Sequence, residues 1–154
     1  MANSAAIKYR AFLSYAHADM RWANWLHSRL EAYPIDADLR GKATRLGPVP
    51  ESLKPVFIDR GNFAGGATLT EATLSALDQS SVLVVLCSEA SAGRTAVQEE
   101  VRLFRFRHAD RPVIPVIIDG KHPDYFPPAL RFALQADGTV GACPLYTSPS
   151  PRDS

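Results

Sequence analysis

Cysteine is scarce in this chain. Cys87 and Cys143 are the only two in 154 residues, and they show neither a CxxC spacing nor the density of a disulfide framework. A reducing, cytoplasmic compartment is the simplest expectation. An excess of one charge sign is also lacking: 17 Lys and Arg stand against 16 Asp and Glu, for a net charge of +1. There is no basic field for nucleic acid and no acidic tail. No apolar run approaches the roughly 20 residues of a membrane-spanning helix, and the start MANSAAIKYR lacks the apolar core of a signal peptide. No nucleic-acid or membrane partner is expected, and the length suits one domain with a real core.

What the chain does have is centred on Ser81–His108. Val82 to Cys87 is an unbroken apolar run, the pattern of a strand buried on both faces of a parallel sheet. Ser88, Ser91 and Gly93 break it. From Arg94 onward Val97, Val101 and Phe104 recur at helical spacing, giving strand, loop and helix. At about 100° per residue, Glu100 falls beside this stripe and Glu99 points away to solvent. A carboxylate near a helix start, beyond the carboxyl end of a central strand, stands where open parallel sheets place ligands. From this stretch alone Glu100 is either such a group or a helix-surface acid.

Before it, Tyr9–Tyr15 reads as a first strand. Asp19 is a candidate N-cap for a helix in which Trp22, Leu26 and Leu30 share a face, ending near Tyr33 because Pro34 follows. His17 and Asp19 are either site residues at the strand tip or turn and cap. Residues 34–54 read as an irregular connection whose Arg40, Lys42 and Arg45 face phosphate or, more simply, water. Val56–Ile58 is a short second strand, and Thr68 with Glu71 suggests a capping box for the next helix. Between them the Gly-rich loop GNFAGG matches neither a Walker A loop nor GxGxxG. Pro112–Ile118 is a further strand in which Pro115 requires an edge position or a bulge. Leu130–Leu134 is either a fifth strand or a short helix. The expected fold class is α/β and flavodoxin-like, a parallel sheet with helices on both faces.

Three segments together resemble the Toll/interleukin-1 receptor (TIR) domain in its bacterial form: AFLSYAHAD the first strand with an FxSYxHxD motif, PVFIDRGNFAGGATL the second strand with the BB loop, and VLVVLCSEASAGRTAVQEEVRLF the third strand with the glutamate helix. The resemblance covers about residues 8–134 and implies five parallel strands. The domain is expected over 8–144, with a disordered start at 1–7 and a tail at 145–154 whose composition is that of a disordered segment. The last of these, containing YTSPSPRD, also resembles a translated sequencing adaptor on a truncated chain, and no function is drawn from it.

In many bacterial and plant members the family cleaves NAD at the nicotinamide–ribose bond, and its catalytic glutamate falls on Glu100. NAD is then the substrate, with no cofactor and no metal. Phe12, Ser14, Tyr15, His17, Asp59 and Arg60 are expected around the acid. By the same resemblance the BB loop, with Phe63, Gly65 and Gly66, meets a neighbouring TIR domain, so self-association is expected. The pattern departs at Ala96, where a tryptophan is common: WVxxE becomes AVQEE. The resemblance implies an NAD nucleosidase, the effector domain of a bacterial defence or signalling protein. The alternative is a TIR interaction module without activity. A phosphorylatable receiver is disfavoured, since Asp19 and Lys121 alone do not supply its acidic cluster and lysine.

Overall fold

The computed structural model describes residues 7–45, 47–58, 69–118, 130, 132–134 and 140–144. Four short parallel strands form the central sheet: β1 (Ala11–Ser14), β4 (Val56–Ile58), β5 (Leu83–Cys87) and β6 (Val113–Ile117), in the order β4-β1-β5-β6. Side chains alternate across each strand. Phe12, Leu83, Val85 and Cys87 therefore enter one core with Ala76 and Leu77 of helix α2 (Glu71–Asp78) and with Val97, Val101 and Phe104 of helix α4 (Thr95–Arg107). Ala11, Leu13, Tyr15, Val84 and Leu86 enter a second core on the other face, against helix α1 (Met20–Glu31). Burial on both faces explains why β5 reads as an unbroken apolar run.

The parallel α/β architecture holds, with four parallel strands rather than five among the described residues. Phe132–Leu134 (β7) is a strand, but it pairs antiparallel with Val140–Pro144 (β8) in a separate ribbon. Pro115 lies on β6, opposite Val85, and β6 is an edge of the described sheet, where a missing N–H does not interrupt a ladder.

Several local expectations are corrected. Trp22 does not share the buried face of α1. It is 50% exposed, while Ala23 is fully buried and Met20, Leu26 and Leu30 are partly so. Steps of four residues drift about 40° each, so Trp22, Leu26 and Leu30 cannot all be central, and the stripe settles on Ala23, Leu26 and Leu30. The cap of α2 is Thr70, whose hydroxyl accepts from Thr73 N at 3.1 Å; Thr68 lies outside the described residues.

The connection over 34–54 is not wholly irregular. It carries a small antiparallel pair, β2 (Ala43–Thr44) and β3 (Gly47–Pro48), with Gly41 and Gly47 in the positive-φ region that favours glycine. Arg40 Nε and Arg45 Nη1 donate to the backbone carbonyls of Ile35 and Asp110. The break after β5 holds a one-turn helix, α3 (Glu89–Ala92), started by a reciprocal cap between Ser88 and Ser91.

Candidate active site

Connecting β1 outward to β4 and then crossing back to β5 puts a topological switch between β1 and β5, where open parallel sheets hold ligands beyond the carboxyl ends of the strands. Ser14 is the last residue of β1 and pairs in register with Val85 of β5. Glu100 comes to this point from α4. Its spacing from Val97, Val101 and Phe104 puts it inside the buried stripe, and it is 8% exposed. Ser14 Oγ donates to Glu100 Oε1 at 2.6 Å, within the range of about 2.5–2.7 Å for hydroxyl donors on carboxylates. A buried carboxylate needs such donors to offset lost hydration. Glu99 is directed elsewhere, forming a forked pair with Arg102 at 2.8 and 3.1 Å on the surface of the same helix.

The other residues expected at the site divide by strand parity. Phe12 is on the Glu100 face but is buried to 1%, stacked on Phe57 at 5.0 Å, so it backs the acid from within the core. Tyr15 is buried on the opposite face with Leu13 and Ala23. His17 is exposed in a 3-10 turn, His17–Asp19, that follows β1. Asp59, Arg60, Phe63, Gly65 and Gly66 lie outside the described residues. Ala96 is half-buried in the first turn of α4.

A second serine–carboxylate pair joins the chain beyond the same two strands, β1 and β5. Asp19 occupies the N-cap position of α1, but its side chain makes no cap. Instead Ser88 Oγ, 1% exposed at the exit of β5, donates to Asp19 Oδ2 at 2.5 Å. The only sequence signal for Ser88 is its spacing from Ser91 directly after a buried strand, a capping pattern that identifies a helix start and not a partner across the sheet. Asp19 also lines an open groove of about 620 Å³ with Ala18, Arg21, Trp22, Trp25 and Ile118. Among the described residues no group of three or more His, Cys, Asp or Glu side chains is placed to hold a metal ion, and no helix is long and apolar enough to cross a membrane.

Comparison with known proteins bears on the fold and the family. The TIR domains of the activated Roq1 resistosome, which directly recognises the pathogen effector XopQ, superpose with a TM-score of 0.51 at 20% identity, over 74% of this chain and 60% of that one. At that identity the likeness shows the fold alone, and the chain spans about 60% of the solved neighbour's length. No curated protein matches the sequence. The family model for the TIR domain matches residues 11–139, a span that contains the whole central sheet, Ser14 and Glu100, and the chain therefore belongs to the TIR domain family.

Proposed function

We propose that this domain cleaves NAD at the nicotinamide–ribose bond, with Glu100 as its catalytic carboxylate. The observation that carries the reading is the buried Glu100 side chain held by Ser14 at the carboxyl end of β1, beside the switch point of the sheet. Nicotinamide leaves NAD as a neutral ring from a cationic one, so it requires no general acid. The ribose carbon it leaves is oxocarbenium-like until water bonds to it, giving ADP-ribose, or the adenine does, giving the cyclic product; a fixed carboxylate nearby stabilises that developing charge and accepts hydrogen bonds from the ribose hydroxyls. One acid is therefore sufficient, whereas ordinary glycoside hydrolysis uses two. Ser14 holds the carboxylate, Phe12 supports the strand beneath it, and Asp59 and Arg60 at the exit of β4 are the candidates for contact with the rest of the dinucleotide.

A second reading, a TIR module that assembles without turnover, is favoured by Ala96 standing where a tryptophan is common. The structural neighbour's place in a resistosome supports association of TIR domains under either reading. The discriminating experiment is incubation of the purified chain with NAD and measurement of free nicotinamide. Release in proportion to time and protein supports the enzyme. Release no faster than in a protein-free control, from a folded sample at high concentration, leaves the module.

A further inference from the structure

We propose that Asp19 is a positioning residue for Glu100, acting through Ser88 to fix the connection from which α4 starts. The inference rests on the proposed NAD cleavage for its kinetic consequence, though not for its structural one. Ser88 has one hydroxyl proton, and it goes to Asp19 Oδ2 at 2.5 Å. Ser88 Oγ in turn accepts from Ser91 N at 3.1 Å, while Ser88 N donates to Ser91 Oγ at 2.9 Å. Ser88 and Ser91 are only 1% and 0% exposed, so water does not replace the bonds between them. Arg94 N then donates to Ser91 O at 3.1 Å and Gln98 N to Arg94 O at 3.1 Å. An unbroken series of hydrogen bonds thus runs from the Asp19 carboxylate through α3 into the first turns of α4, two residues short of Glu100.

The two serine–carboxylate pairs cross. The serine ending β1 holds the acid on α4, and the serine following β5 is held by the acid at the start of α1. Since β1 and β5 are hydrogen-bonded neighbours, Glu100 is fixed at its carboxylate by Ser14 and at its helix start by Asp19. The side chain of Asp19 is diverted from capping its own helix, as expected if its main contact is with Ser88. A small displacement of a catalytic group has large kinetic consequences, so loosening the α4 start lowers turnover more than it weakens substrate binding.

The test is a double-mutant cycle in the full chain with Asp19→Ala, Ser88→Ala and both together, read by kcat, by KM and by amide hydrogen exchange. Each single variant is expected to lower kcat at least 10-fold with KM changed less than 3-fold. The double variant is expected to be no worse than the weaker single, because both remove one interaction. Asp19→Asn, which keeps an acceptor oxygen, should recover most of the loss. Independently of turnover, exchange at residues 89–100 should speed by 10-fold or more in each single variant, with α2 unchanged. If wild type releases no nicotinamide but exchange changes as stated, the NAD reading fails and the link from Asp19 to α4 stands. Additive losses in the cycle, or exchange at 89–100 unchanged by Asp19→Ala, overturn the proposal.

Discussion

Glu99 and Glu100 are adjacent in the chain and opposite in environment. One makes a surface pair with Arg102, and the other is buried on Ser14. Ser14→Ala leaves the Glu100 carboxylate short of a donor, and hydrogen bonds to charged groups are worth about 1.5–3 kcal/mol. The variant is expected to lose that much stability in denaturant titration, and nicotinamide release is expected to fall about 10-fold or more. Cys87 ends β5 fully buried. Burial pushes its thiol up to about 12, partly offset by backbone hydrogen bonding from Val116, so the nucleophilic thiolate is absent at neutral pH. In a Cys143→Ser background a thiol reagent should label Cys87 at the rate of unfolding and should leave turnover of the folded protein intact. Because the folded value lies above the ordinary 9.0, the stability contributed by the protonated thiol is complete below pH 9. It is lost as pH rises toward 12. The place of Glu100 beside the core was legible in the sequence because one helical stripe contains its own directional information. The partnership of Ser88 with Asp19 was not, because it depends on β1 and β5 lying side by side, which no local pattern states.

At the scale of elements, α1 shows where periodicity falls short. The wheel admits Trp22, but the sheet has room for Ala23, and the indoles of Trp22 and Trp25 remain outside, edge to face at 6.0 Å with Arg29 over Trp25. The polar side of the α1 stripe has its own task. Glu31 Oε2 accepts from Val56 N at 2.9 Å and His27 Nε2 lies 2.9 Å from Val56 O, so the helix occupies backbone groups of the edge strand β4 that are otherwise open to a second chain. The carboxyl ends of α2 and α4 are joined by Asp78, which accepts from Arg107 at 2.9 Å and lies 2.9 Å from Nε2 of the buried His108, while Arg111 donates to the carbonyls of Asp78 and Ser80. Asp78→Ala should cost about 2–3 kcal/mol in a chemical unfolding curve. Since this junction lies at the opposite end of α4 from its first turn, KM for NAD should be unchanged in the folded fraction. The four strands of the central sheet and the helices α1, α2 and α4 were readable from apolar runs and spacing, whereas the β2–β3 pair within 34–54 was not. The antiparallel β7–β8 ribbon was not, because a three-residue apolar segment carries no information about which sheet it joins.

For the whole molecule, the TIR fold supplies a site whose activity is proposed to depend on association. A domain that is mostly in a state binding NAD poorly gains competence when self-association shifts its population. Specific activity should therefore rise with protein concentration, and Phe63→Asp should flatten the rise without unfolding the monomer. Constant specific activity from a protein that stays monomeric by light scattering would remove assembly from the account. The most direct test of the central claim compares the two neighbouring acids. Glu100→Gln and Glu99→Gln are each brought to the same folded concentration, checked by circular dichroism, and assayed for nicotinamide release from NAD. Glu100→Gln is predicted to abolish release with little loss of fold while Glu99→Gln keeps most of it; equal loss in the two, or full release from Glu100→Gln, would contradict the assignment of the buried carboxylate as the catalytic group.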